Sequence, residues 1–342
     1  MIYLLLYIWL AIKAVNILKE IKFIDIEGIK VGHAQNIEAG TGCTVIICEE
    51  GATAGVDVRG GSPGTRETDL LDPQNLVDKI HAVMLSGGSA FGLDAASGAM
   101  KYLEEKDIGF DVQVTKVPIV CSAVLFDLVV GDYKVRPDFK MGYEACVNAT
   151  NKECPNGNIG AGTGATVGKF LGIERAMKGG LGSYATQVGD LKVGAIVAVN
   201  ALGDVIDPET GKILAGLLDE KGNTLIGTEN AMIKKYNEKK NIFNGNTTIG
   251  VVVTNGIFTK SQMNKLASMS HNGYARTIRP AHSIFDGDTI FTMATCKVEA
   301  DINVVGFLAA RTMERAIVNA VKSAESAYGV KGYDDIYIHK RQ

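Results

Sequence analysis

The chain has 342 residues, 46% of them hydrophobic and 21% charged, with a formal net charge of −3. These proportions belong to an ordinary globule and exclude a disordered chain. The slightly acidic balance removes any electrostatic case for a nucleic-acid partner or an acidic membrane surface.

Met1 to Leu18 is an apolar run broken by Lys13 and Asn16. No basic stretch precedes it, which argues against a secretory signal. Lys13 inside the run weakens a membrane span, so membrane contact through residues 1–18 is not favoured. Residues 1–22 read as an apolar extension, either packed on the body or a partner or encoded from an upstream start. Residues 23–342 read as a single domain. A short strand is expected from Phe23, then a strand and turn ending at Ala34. Separate strands are expected at Gly42–Cys48 and Ala54–Arg59. Ala82–Leu85 is another strand, and Ala90–Glu105 a helix rich in small residues that permit close packing. Phe110–Val120 and Leu125–Tyr133 are read as strand-like, and Phe139–Ala149 as a helix. The glycine-rich stretch from Gly157 to Gly172 follows, then a buried strand, Val193–Val199, ending at Asn200. Asp204–Gly227 is turn-rich and Thr228–Gly245 is charged and exposed. Strands are expected at Thr247–Thr254 and Asp288–Ala294, and helices at Ser261–Arg276 and within Ile302–Tyr328. The last helix carries Phe307, Leu308, Met313, Ala316, Ile317 and Val321 on roughly one side. Paired and tripled strands and helices suit a sandwich with helices outside two sheets better than a Rossmann ladder.

The six cysteines form no CxxC pair and read as reduced, buried thiols, consistent with a cytoplasmic protein. The five histidines show no metal-ligand spacing, and HExxH is absent. No metal or cofactor is therefore expected. Gly160-Ala161-Gly162 with Gly164 comes close to a dinucleotide fingerprint but lacks its preceding parallel strand and later acidic residue. Gly87-Gly88-Ser89-Ala90-Phe91 misses a nucleophile elbow by one position. Asp286-Gly287-Asp288 is either a turn with a capping Asp or a carboxylate pair that orients a nucleophile and its amine. Lys169, Asn200 and Thr247 each sit at an element end, where such residues are ordinary. Thr247 follows a polar loop and precedes a β-branched run, the place for the nucleophile of a self-cleaving hydrolase.

Thr65 to Leu71, Ser86 to Asp94, the Gly160–Gly168 run, Asn246-Thr247-Thr248 and the block Arg279–Thr289 stand together in one order. In that order they resemble the DmpA-like β-aminopeptidases and L-aminopeptidase/D-esterases, whose superfamily includes nylon-oligomer hydrolase. The resemblance covers about residues 23–328. It implies a four-layer αββα sandwich like that of N-terminal-nucleophile hydrolases. It also implies a precursor that cuts itself at Asn246–Thr247 into 1–246 and 247–342, and homo-oligomers of the processed units. It assigns Thr247 as nucleophile, Asn200 as oxyanion donor, Asp286 and Asp288 as orienting acids, and Lys169 as a further site residue. The acidic Asp286 is closer to the nylon-hydrolase branch, and Phe126 falls where some members carry a tyrosine. The expected activity is hydrolysis of short peptides, amides or esters, with no cofactor and no nucleic acid. The alternatives are an acyltransferase of the ornithine-acetyltransferase type and a non-catalytic nucleotide-binding protein.

Overall fold

The computed structural model describes residues 18–237 and 245–337. Expectations for the leader up to residue 17, and for Asn244, lie outside the described residues. The strands in chain order are β1 (Leu18–Ile21), β2 (Lys30–Asn36), β3 (Thr41–Val58), β4 (Thr65–Arg66), β5 (Lys79–Ser86), β6 (Phe110–Asp111), β7 (Lys116–Val117), β8 (Val120–Val124) and β9 (Thr166–Val167). They continue with β10 (Met177–Lys178), β11 (Gly180–Val188), β12 (Leu191–Val199), β13 (Asp204–Ile206), β14 (Ile213–Ala215), β15 (Ile249–Gly256), β16 (Ile278–Arg279) and β17 (Thr289–Val298). The helices are α1 (Ala95–Glu105), α2 (Phe139–Val147), α3 (Thr228–Lys234), α4 (Lys260–Thr277), α5 (Ile302–Lys322) and α6 (Tyr333–Tyr337).

Ten strands join edge to edge in the order β1-β11-β12-β15-β17-β3-β5-β8-β4, with β2 added on β3. β3 carries the chain from one half to the other. Its first part pairs with β2 and β5, and its last part pairs with β17. The β3–β5 register shifts between Ile47 and Ala52, the irregularity at which β3 passes from one half to the other.

Period-two alternation then sorts side chains into three cores. Ile196, Ala198, Ile249, Val251, Val253, Phe291 and Met293 from one half meet Ile46, Val83, Leu85, Cys121 and Ala123 from the other. The opposite residues of the first half, including Val193, Ala195, Val197, Val252 and Ile290, pack under α4 and α5. Val45, Ile47, Ala82 and Met84 pack under α1 and α2. The result is helix, sheet, sheet, helix: the expected αββα sandwich.

Helix ends follow local chemistry. Thr259 and Gln262 form a capping box for α4, and the Asp301 carboxylate accepts from Asn303 and Val304 at the start of α5. On α5, Leu308, Met313, Ala316, Ile317 and Val321 are buried as expected, but Phe307 is exposed. The two expected strands at Gly42–Cys48 and Ala54–Arg59 are one strand, β3, because the polar Glu49-Glu50-Gly51 interruption is absorbed inside it. Phe23–Asp25 is a single 3-10 turn, not a strand. Phe110–Val120 contains only the small hairpin β6–β7, and regular strand ends at Val124 rather than running on from Leu125. Thr228 opens a short helix in the segment read as charged and exposed; Thr228 and Ala231 are buried there, and Glu229, Asn230, Ile233 and Lys234 are exposed. Leu18–Ile21, inside the segment read as an extension, pairs along β11 as an edge strand. Among the described residues, no helix is long and apolar enough to cross a membrane.

Candidate active site

Topology gathers the expected residues at one end of three neighbouring strands. β12 runs antiparallel to β15, so Asn200, just past the end of β12, lies beside Thr247, just before β15. β15 and β17 are parallel, so the turn before β17 brings Asp286, Gly287 and Asp288 to the same end. Asn246 continues that pairing as a bridge to Asp286. Lys169 enters from the glycine run, after Gly168 in a left-handed conformation.

The structure describes the uncut chain. The Thr247 hydroxyl donates to the carbonyl oxygen of Asn246. The Gly287 N–H points at both atoms, 3.0 Å from the Asn246 oxygen and 3.1 Å from Thr247 Oγ. Only glycine fits there, since a Cβ at position 287 would lie 2.7 Å from Thr247 Oγ. The Thr247 N–H donates to the Asn200 main-chain carbonyl at 2.8 Å. The Thr248 N–H donates to Asp288 Oδ1 at 2.8 Å. Thr247 and its two neighbours are thus held by backbone and carboxylate groups at the ends of adjacent strands.

Asn200 is the hub behind them. Its Oδ1 accepts from Lys169 Nζ at 2.6 Å and from the Thr166 N–H at 3.0 Å, and its amide donates to the Phe126 carbonyl at 3.0 Å. An amide nitrogen carries two hydrogens, so one N–H beyond this bond belongs to the Asn200 side chain. Lys169 Nζ also donates to the carbonyls of Thr166 and Asn200. Lys169 is therefore a buried residue, not the solvated one its position suggests.

Burial pushes the Lys169 amine down to about 7, against the pull of Asp286 and Asp127, with Lys178 adding to the depression. Burial pushes Asp286 up to about 6, helped by the neighbouring Asp288. A second buried pair lies behind the first. Lys178 donates to the carbonyls of Thr163 and Ala165, and burial lowers its amine to about 7. Asp127 accepts from Thr41 and the Gly88 N–H, and burial raises it to about 6. A depressed lysine holds fewer protons folded than unfolded. Its stabilising contribution is full above the ordinary value of 10.5 and is lost as pH falls through about 7. Lys169→Met should therefore flatten the rise in unfolding free energy across that window, leaving the share of Lys178. Urea melts of the uncut Thr247→Ala chain, with and without the second substitution, read this directly. An unchanged pH slope would remove the amine from the account.

In front of Thr247 lies a cleft of about 120 Å³, walled by Pro63, Ala90, Val124, Leu125, Phe126 and Phe285, with Ser62 and Ser89 at its polar points. A larger cleft of about 370 Å³, beside β1, shares no residue with it. Thr247 lines the smaller one. The sequence reading missed His282. Its Nδ1 lies 2.9 Å from Asp288 Oδ2 and its own N–H donates to the same oxygen at 3.1 Å. A search for metal spacing does not look for a histidine six residues before an acid. The signal was the pairing of His282 with Asp288 across one irregular turn. The Gly160–Lys169 stretch is buried against the chain's own backbone, with no open phosphate cradle. All six cysteines are free, four of them buried, and no group that could hold a metal occurs among the described residues.

Thr247 thus stands at the head of a central strand in an αββα body. The chain belongs to peptidase family S58, whose model matches residues 22–334, and it is a peptide-bond hydrolase. It is 40% identical over 342 residues to an uncharacterized aminopeptidase of Mycobacterium leprae, covering 90% of this chain and 92% of that one. It is 30% identical to the 6-aminohexanoate-oligomer endohydrolase of Kocuria sp., over 87% of this chain and 85% of the relative. The fold is similar to that of the L-aminopeptidase D-Ala-esterase/amidase from Ochrobactrum anthropi. That likeness has a TM-score of 0.68 at 17% identity and covers 94% of this chain and 93% of that one.

Proposed function

We propose that the chain cuts itself between Asn246 and Thr247 and then works as an N-terminal-threonine aminopeptidase or amidohydrolase. The observation that carries this is the Thr247 hydroxyl lying against the Asn246 carbonyl while one N–H, that of Gly287, serves both. Attack of Oγ on that carbonyl carbon forms a C–O bond. The C–N bond breaks, and the hydroxyl proton ends on the Thr247 nitrogen. Water then hydrolyses the ester, leaving a carboxylate on Asn246 and a free amine on Thr247.

In turnover the α-amine, whose unperturbed pKa is about 8, is basic enough to take the Oγ proton near neutral pH. The Asn200 carbonyl that accepts the Thr247 N–H in the uncut chain is in place to hold that amine. Threonine's β-methyl restricts χ1 and keeps Oγ on one line of attack. The acyl group of the substrate moves onto Oγ, its amine or alcohol leaves with the proton, and water releases the acid. Gly287 N–H and the second amide hydrogen of Asn200 are the donors for the developing oxyanion. Asp286 and Asp288 orient the nucleophile and its ammonium, and Lys169 fixes Asn200. Substrates are short peptides, amides or esters; the two curated relatives, an aminopeptidase and an oligo-amide hydrolase, support an amide. Homo-oligomeric assembly and a cytoplasmic location belong to the same proposal, the latter in keeping with six free cysteines.

Intact-mass and N-terminal analysis of the purified protein is the test. The expected result is two fragments, 1–246 and 247–342, the second beginning at Thr247. A single intact chain would end the self-processing reading.

A further inference from the structure

Gly245, two residues before Thr247, lies flat against the side chain of Phe126. A Cβ built on Gly245 would stand 2.4 Å from Phe126 Cγ, 2.7 Å from Cδ2 and 2.8 Å from Cβ. These atoms are the root of the ring rather than its free edge. Turning the ring about χ1 would move Cγ and Cδ2 but not Cβ, which is held by the Phe126 backbone, whose carbonyl is fixed by the Asn200 amide at 3.0 Å. The φ of Gly245 lies outside the left-handed region, so the ring alone excludes a side chain.

This matters beyond Gly245 because of where the residue sits. In the uncut chain, Gly245 and Asn246 occupy the acyl side of the scissile bond. The Asn246 carbonyl rests on the Gly287 N–H, and its N–H donates to the Phe285 carbonyl at 3.3 Å. The segment pairs with 285–286 as one more rung of the parallel ladder. Once the bond is cut, an incoming acyl group must bring its own carbonyl to the same donor and meets the same walls. We propose that Phe126 is a specificity-determining residue of the acyl side. It requires the atom that falls where Gly245 Cα lies to be unsubstituted. A free terminal amine, a glycine, or an unbranched methylene chain satisfies that requirement. An L-residue with a side chain at the second position does not. The class of substrate is therefore aminoacyl, glycyl-aminoacyl or linear methylene amides, and ordinary longer L-peptides are rejected. This rests on the self-processing reading above.

Two arms test it. The first is self-cleavage of wild type, Gly245→Ala, and Gly245→Ala/Phe126→Ala, followed by intact mass against time. Gly245→Ala should slow cutting by about tenfold or more, the scale of one misplaced methyl in a tight pocket, and the double variant should recover it. The second uses wild-type enzyme and needs no variant to fold. Glycyl-alanine p-nitroanilide should exceed alanyl-alanine p-nitroanilide in kcat/KM by about tenfold or more, and alanine p-nitroanilide should be accepted. Phe126→Ala should close that gap. Equal turnover of the two dipeptide anilides, Gly245→Ala cutting at the wild-type rate, or a double variant no faster than Gly245→Ala would each overturn the role of Phe126 while leaving the hydrolase intact. A wild-type chain that neither cuts nor turns over any anilide removes the underlying reading itself, and this inference with it.

Discussion

Thr247→Ala should give one uncut chain with no measurable hydrolysis. The substitution removes the hydroxyl that lies against the Asn246 carbonyl, so neither the first ester nor any later acyl-enzyme should form. Loss of a hydrolase nucleophile costs on the order of 10⁶ in kcat. The fold should survive, since the Thr247 N–H keeps its bond to Asn200 and Thr248 keeps its bond to Asp288. Thr247→Ser is the matching control. It retains Oγ and should still cut and turn over, more slowly because the β-methyl no longer restricts χ1. Gel analysis of processing together with anilide hydrolysis reads both variants. Continued cutting of Thr247→Ala at the same bond would place the nucleophile elsewhere.

The second large effect is expected at Asn200, where side chain and backbone have separate roles. Asn200→Ala keeps the main-chain carbonyl for the Thr247 nitrogen. It takes the Oδ1 acceptor from Lys169 Nζ, which keeps the carbonyls of Thr166 and Asn200, and from the Thr166 N–H, and it removes the proposed oxyanion donor. A fall of about 10²–10³ in kcat is expected from the donor alone. A stability loss of about 1–3 kcal/mol should accompany it, because buried polar groups are left unmet. Asn200→Asp separates the two. Its carboxylate still receives Lys169 and Thr166, so most of the stability should return, less the bond to the Phe126 carbonyl that the amide made, while the amide donor is gone and kcat should remain low. Wild-type turnover in Asn200→Asp would show that the side-chain N–H carries no oxyanion charge. KM should change little in either variant, since the bond in question strengthens only in the transition state.

The strands and helices that position the site were mostly legible, because β12, β15, α4 and α5 are strongly periodic runs. β3 was not, because two glutamates and a glycine in mid-strand look like a turn until a neighbouring strand supplies the pairing across them. Phe307 shows the limit of reading one face from spacing alone, since a helix stripe fixes the angle around the axis and not what lies beyond it. At the site, Thr247, Asn200 and the two acids carried weak local signals that only their order made specific. Lys169 could be named but not understood. Its amine is depressed by burial, against the pull of Asp286, over a hundred residues away in the chain. The glycine run had the composition of a phosphate loop, and only long-range packing gives its purpose. A Cβ at Gly162 would strike the Leu181 nitrogen, and one at Gly168 the backbone of Gly216. His282 escaped for a similar reason: its partner, Asp288, is reached through a turn and not through a regular spacing.

The order of strands at the centre of the sheet bears on what a cut would mean. β15 and β17, both after Thr247, lie between β12 and β3, both before Asn246. The two pieces of a cleaved chain would thus be interleaved, each supplying what the other needs to complete a ladder. Ile249, Val251 and Val253 have no exposed surface to present to a docking partner, because they are already core. Such a pair has no subunit boundary that could open. Dilution would not part the fragments, copies could not trade them, and neither would be a domain when alone. The break in the backbone would free an amine at the bottom of the cleft while the rest of the molecule continued as one body.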